Sequence, residues 1–482
     1  MRMRDRWFKP RRPVQVLAVC WASLASVIAS AAPSTPEPLS FDAAWQRVKT
    51  GSDRLAAARS AVDSKAEMGQ GLQGLGGPSV SLSGAAFAYS ASLTLDLDPV
   101  TQGLMQVGQA LPAPLQRLVP PSVAAGLLSK LPDRYTYRKE DTAATASISA
   151  LWPLYMGGAS QAVRGLVSAQ QGEAQADADK AEHELATLLV QRYFGAQLAQ
   201  RAASLRQHAL VTIEQHDQAA ERLMQAGLIA RVERLQAKVQ LEDARRQAIK
   251  SQDDAQLAML ALGRTVKAQG SVWPSNPLFV LSQPIEPVGV FIDAAEQHHP
   301  GLAKVAAKKA QAEQLHEAGQ ALSRPQVVGF AQRALKSDHP DWVAGVAVRW
   351  TLWESLDKDA MSRASLKQVE QAEFTDRQAR SDIALLVEKQ WNALEQSRRQ
   401  YLAAQASVEL AQEVLKLRQA GLREGTSTTL DLIDAELHVL KVQTERSQMA
   451  HDYDVALALL LESCGLSEQF GAYLARADVR IP

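Results

Sequence analysis

Gln225-Ala226-Gly227-Leu228 breaks one long helical pattern, and Arg423-Glu424-Gly425-Thr426 breaks another. The two interruptions stand 425 − 227 = 198 residues apart. The same shift carries Leu235-Gln236-Ala237 onto Ile433-Asp434-Ala435. Further upstream it carries Leu151-Trp152-Pro153-Leu154-Tyr155 onto Arg349-Trp350-Thr351-Leu352-Trp353. An apolar-aromatic strand end, a long helix and a glycine turn therefore recur in register, which marks one supersecondary unit used twice.

Before that segment the shift changes. Pro78-Ser79-Val80 matches Pro325-Gln326-Val327 at 325 − 78 = 247, and Phe41-Asp42-Ala43-Ala44 resembles Ile292-Asp293-Ala294-Ala295. The difference, 247 − 198 = 49, is an excess in the first copy between Val80 and Trp152. The excess falls on residues 89–141, rich in Pro, Leu and Gly, and reads as a loop between two strands. Each unit thus reads helix, strand, loop, strand, very long helix, turn, helix. The first copy covers 32–265 and the second 291–466, with a linker at 266–290 and a C-terminal tail at 467–482.

The helices are long because nothing stops them. There is no proline between Pro153 and Pro274, and none between Pro340 and Pro482. A helix over Ala159 to Ala226 spans roughly 100 Å at ~1.5 Å per residue. In the second copy Val387, Leu394, Tyr401, Val408, Leu415 and Leu422 are each seven apart. Such a period winds helices into a left-handed supercoil. Arg398, Gln405, Gln412 and Gln419 keep the companion face polar, which suits an ordinary helical bundle with a wet face and, as the reading favoured here, a tunnel wall facing water.

The strands alternate. Trp342, Ala344, Val346, Val348 and Trp350 fall on one face, with Val343, Gly345, Ala347 and Arg349 on the other. Period two with an aromatic at each end is the pattern of a lipid-facing barrel strand. The two tryptophans would stand ~26 Å apart at ~3.3 Å per residue, close to the spacing of two membrane interfaces. Val80, Leu82, Gly84 and Ala86 form one further apolar face, and Ala146, Ile148, Ala150 and Trp152 another. That makes four strands, too few to close a barrel, and open edges are not tolerated in lipid. Two chains would give eight strands and a filled interior; three would give twelve and room for water.

Composition agrees with an exported, non-enzymatic chain. Lys+Arg and Asp+Glu are both 52 over 482 residues, so no basic excess points to nucleic acid. Arg2, Arg4, Arg6, Lys9, Arg11 and Arg12 precede an apolar stretch from Val14 to Ile28 and a small-residue site at Ala29-Ser30-Ala31. Residues 1–31 therefore read as a signal peptide. Its removal takes Cys20, leaving Cys464 as a small buried hydrophobe. His298-His299 has no third ligand at zinc-like spacing, and His183-Glu184 lacks a second histidine. Gly69 to Gly77 ends a helix and enters a strand, the wrong order for a phosphate loop. No metal, cofactor or catalytic residue is expected.

From about Phe41 to Gly465 the chain resembles the TolC family of outer-membrane efflux proteins. The resemblance rests on Gly227-Leu228-Ile229-Ala230-Arg231-Val232-Glu233 and on Gly425-Thr426-Ser427-Thr428-Thr429-Leu430-Asp431-Leu432-Ile433-Asp434-Ala435. It implies a mixed α/β membrane protein, mostly α. Three chains would form a 12-stranded β-barrel, four strands per chain, continuous with a coiled-coil α-helical periplasmic tunnel. It also implies a Gram-negative outer-membrane exit channel of a tripartite efflux or type I secretion system. The implied partners are a periplasmic adaptor and an inner-membrane pump or ABC transporter. By the same resemblance Gly227, Leu228, Gly425 and Thr428 are adaptor-docking turns, and Asp431, Asp434 and Glu233 form a cation-selective gate. Trp152, Trp342 and Trp350 mark the membrane interfaces. The tyrosine and arginine that lock the family's closed entrance correspond to Leu422 and Ser427 here, a departure.

The acidic pair has its own physical logic. Asp431 and Asp434 are three apart and share a helix face. Three copies would crowd six carboxylates, attract cations and raise some pKa values. Both acids also suit the first turn of a helix capped by Thr428 or Thr429. The rival readings are a periplasmic adaptor, which would show one hairpin inside lipoyl-like sequence, and a helical scaffold without a barrel.

Overall fold

The computed structural model describes residues 37–96, 134–335 and 341–481. The leader at 1–31 and residues 97–133 of the stretch read as a loop lie outside the described residues. In chain order the elements are β1 (Glu37–Leu39), α1 (Phe41–Gly51), α2 (Asp53–Gly71), β2 (Ser79–Asp96) and β3 (Arg134–Tyr155). Then come α3 (Ala159–Gln225), α4 (Arg231–Thr265), β4 (Val272–Pro274), β5 (Leu278–Val280), α5 (Val288–His298) and α6 (Pro300–Ala321). Last come β6 (Gln326–Ala334), β7 (Trp342–Arg349), α7 (Lys358–Glu424), α8 (Thr429–Ser463), α9 (Phe470–Arg476) and β8 (Val479–Ile481). Helices α3 and α7 are both 67 residues long, and α4 and α8 are both 35. No helix among the described residues is long and apolar enough to cross a membrane.

The chain divides into two compact units. One consists of Ser64–Gln171 and Ala307–Glu373 and holds a four-stranded antiparallel sheet of order β2-β3-β6-β7. Residues opposite one another in a ladder share a face. The register puts Val80 against Ala150, Leu82 against Ile148, Ala150 against Ala331 and Ala331 against Ala344. An exposed apolar face results, with Leu82 and Trp342 both 73% exposed. On the opposite face β2 and β3 are tied by hydroxyls, Ser81 Oγ lying 2.8 Å from Ser149 Oγ and Ser83 Oγ 2.9 Å from Ser147 Oγ, and Leu151, Phe330 and Val343 share that face. Pro153, which cannot donate to a ladder, sits at the one irregularity of the β3–β6 pairing.

The ends of the stretch read as a loop are strand: β2 continues to Asp96 and β3 begins at Arg134. Strand β6 ends at Ala334 opposite Ser147, so β2 and β3 go on alone as a two-stranded ribbon. Along it the polarity exchanges sides. Phe87, Tyr89, Leu93 and Tyr137 fall on the serine side, and Ser90, Ser92, Thr94, Arg138 and Glu140 fall on the formerly apolar side. An alternation that changes phase does not register as a strand when read along the sequence.

Among the described residues the other unit takes 37–63, Gly172–Ala306 and 374–481. Its core is aromatic, with Phe41, Tyr193, Phe194, Phe279 and Phe470 in contact at ring separations of 4.9 to 5.9 Å. The Tyr193 hydroxyl donates to Leu39 O at 2.7 Å and accepts from Asn276 N at 2.9 Å. The linker and the tail close this core. Strand β4 pairs with β1 in parallel and β5 with β8 antiparallel, while Phe470 of α9 is buried. Cys464, at the end of α8, is buried, and burial pushes its thiol up to about 11.

Candidate functional site at the two helix turns

Both turns end their long helix in the same way. After α3, Gly227 N donates to Met224 O and Leu228 N to Leu223 O, both at 2.9 Å. After α7, Gly425 N donates to Leu422 O at 3.3 Å and Thr426 N to Gly421 O at 2.8 Å. This is the Schellman arrangement, which needs a left-handed residue just past the helix. Gly227 has φ +73° and Gly425 φ +76°, and a side chain on either would meet nothing within 4 Å. Their role is therefore backbone geometry and not close packing. Leu228 is 72% exposed at the outermost point of the first turn.

The next helices start differently. Thr428 caps α8: its Oγ1 accepts from Asp431 N at 3.1 Å, and Asp431 Oδ2 accepts from Thr428 N at 2.9 Å. This reciprocal capping box satisfies two orphan donors. Those bonds hold the Asp431 carboxyl below its ordinary range, with Arg418 3.9 Å away adding to the effect. Asp434 is exposed one turn further on. In α4 the N-cap is Ala230, which has no side chain to offer, and Glu233 lies half-buried in the first turn.

An ion network ties the start of α4 to α3 instead. Arg234 Nη1 lies 2.5 Å from Asp217 Oδ1, and Arg234 Nε lies 2.6 Å from Glu221 Oε2. One guanidinium thus bridges α4 back to two carboxylates of α3. Arg234 and Asp217 are both largely buried, so the pair is screened little by solvent.

The second hairpin is anchored in the first. Ile433 of α8 is fully buried in a cluster with Leu210, Ile213 and Ala220 of α3 and Ala237 and Leu241 of α4, and Leu437 packs alongside. Beside it His216 Nε2 of α3 stands 3.9 Å from Glu436 Oε1 of α8. Reading the sequence missed Ile433, Leu437, His216, Glu436 and Arg234, because only the register between helices reveals them. Ser427, at the position of the family's arginine, lies against Gly421, where an added Cβ would stand 2.5 Å from Ser427 Oγ.

In the sheet unit, Trp342 starts β7, and Trp350, just past its end, donates from Nε1 to Ser323 O at 3.3 Å. Trp152 lies opposite Gly329 on the apolar face and is exposed.

A family model described as outer membrane efflux protein matches residues 121–266 and 291–466. Among solved structures, CusC superposes with a TM-score of 0.71 at 14% identity, covering 88% of this chain and 91% of its own. The CmeC outer membrane channel of Campylobacter jejuni gives 0.69 at 13%, covering 90% and 88%. VceC of Vibrio cholerae gives 0.69 at 14%, covering 88% and 96%. No curated protein matches the chain. Likeness at such identity is likeness of fold.

Proposed function

The chain belongs to the outer membrane efflux protein family, and from that premise we propose how it works as a passive exit channel. It resides in the outer membrane, extends into the periplasm and is not an enzyme. Three copies close a twelve-stranded barrel. The observation that carries this reading is the sheet order β2-β3-β6-β7, which leaves β2 and β7 as open edges on a sheet with one exposed apolar face. In lipid those edges must pair, and they pair with other copies. Twelve strands leave a water-filled lumen lined by the serine face. Trp152, Trp342 and Trp350 mark the interfaces, and the ribbon formed by the ends of β2 and β3 is at the cell surface.

In this reading α3, α4, α7 and α8 of three copies form the periplasmic tunnel. The turns at Gly227, Leu228, Gly425 and Thr428 dock a periplasmic adaptor, through which an inner-membrane pump or ABC transporter supplies the energy. Asp431, Asp434 and Glu233 ring the entrance and favour cations. Ile433 seated in the first hairpin, with His216 facing Glu436, holds the entrance where the family's tyrosine and arginine are absent.

Single-channel recording of Asp431→Ala with Asp434→Ala tests the ring. Block by polyvalent cations is expected to weaken several-fold; unchanged block sinks the assignment.

A further inference from the structure

Two arginines packed between the helices of the core unit have their charge answered in full. Arg398 reaches Glu395 with three contacts of 2.8 to 3.2 Å and donates to Ser282 O at 2.8 Å. Arg234 has Asp217 and Glu221. Arg201 of α3 and Arg446 of α8 are different. Among the described residues neither forms an ion pair with a carboxylate. Arg201 is half-buried and donates from Nε to Ser447 Oγ at 2.9 Å. Ser447 in turn spends its own proton on Gln443 O at 2.9 Å. Arg446 lies over the ring of Tyr401, its guanidinium carbon 4.7 Å from the centroid, and its buried Nε has no hydrogen-bond partner.

Tyr401 supplies the independent observation. It is 1% exposed, on the seam of α7, and its hydroxyl has no partner either. Burial pushes that hydroxyl up, and Arg446 and Arg201 pull it back. Burial also lowers Arg201, and the charge of Arg446 works in the same direction. Arg201 is tied to Ser447, the neighbour of Arg446, Arg446 lies over Tyr401, and among the described residues no carboxylate pairs with either guanidinium. A half-buried pair of like charges is costly unless a counter-charge joins it.

We propose that Arg201, Arg446 and Tyr401 form a binding site for a small free oxyanion of the phosphate or carboxylate type, held between α3, α7 and α8. The planar guanidinium forks match such anions, and Arg446 is held over an aromatic ring as a preset half of the site. The three residues belong to one chain, so the site does not rest on the trimeric reading. A bound anion would bind α8 to α3 about seven turns of α3 from its glycine turn, a second link between the hairpins beside the packing of Ile433.

The test uses the full-length protein in detergent with inorganic phosphate as the probe, against sodium chloride at matched ionic strength. Thermal melting of the unaltered protein is expected to rise saturably with phosphate by a few degrees, as a ligand of the folded state requires. Arg446→Gln is expected to lose the saturable rise while melting no lower than the unaltered protein when phosphate is absent, since it removes an unanswered charge. Tyr401→Phe keeps the core volume and is expected to raise the half-saturating phosphate concentration several-fold. Equal responses of the unaltered protein and Arg446→Gln, or a response to ionic strength alone, would overturn the proposal. So would disassembly of the Arg446→Gln oligomer without any phosphate effect, which would place the counter-charge on a neighbouring copy.

Discussion

The first and second helix turns share one way of stopping a helix and differ in how they start the next. Each stops on a glycine at positive φ with the same pair of backbone bonds. The second turn then starts α8 with a local device, Thr428 and Asp431 three residues apart. The first starts α4 without a side-chain cap and relies on Arg234 reaching back 13 and 17 residues to α3. The stop is thus fixed by backbone sterics in both copies, while the start is free to be local or tertiary. A local start is complete before the hairpin closes. A tertiary start exists only once α3 and α4 are paired, so the first turn is bound to its own hairpin and the second is free to seat Ile433 in it.

The largest break in this comparison comes from Ile433→Ala, which empties a fully buried position shared by both hairpins. It is expected to cost about 3 kcal/mol and to raise the resting conductance of the channel. Melting curves and bilayer recording check the two parts. If the channel stays as closed as before, Ile433 is core and not part of the entrance.

Next in size is Arg234→Ala, which leaves the Asp217 carboxylate buried without its cation. About 2–3 kcal/mol is expected, with faster amide exchange confined to the start of α4. Equal exchange at both turns would erase the distinction drawn between them.

Smallest is the exchange of caps. Thr428→Ala is expected to cost about 1 kcal/mol and Ala230→Ser to stabilise α4 by less than that. Acid sharpens the contrast. The Asp431 carboxyl is lowered in the folded chain, so its contribution is complete above its unfolded value near ~4. It is lost as pH falls through the lowered folded value. Thr428→Ala should flatten that acid limb of α8 melting, and an unchanged limb would assign it elsewhere.

Long periodic segments were legible in the sequence because one physical constraint repeats along them. Glycines 227 and 425 and the alternation from Trp342 to Trp350 could be read for that reason. Three features could not. Strands β1, β4, β5 and β8 are three residues each, too short to carry a period. The ribbon of β2 and β3 changes the polarity of its faces midway, which broke the alternation and left its ends read as loop. The contacts of Ile433, Arg234 and Arg201 join separate helices or turns of helix, and their meeting depends on a register that spacing does not state. The acidic pair was half legible: the cap made by Thr428 and Asp431 follows from residue type and position. A role at a channel entrance needs the neighbouring copies.

On the proposed function this chain conducts only as three copies. The most direct measurement is the mass of the detergent-solubilised outer-membrane protein by light scattering, joined to conductance in a planar bilayer. A homotrimer that conducts is the expected result. A monomer that fractionates with the periplasm and gives no conductance would contradict it.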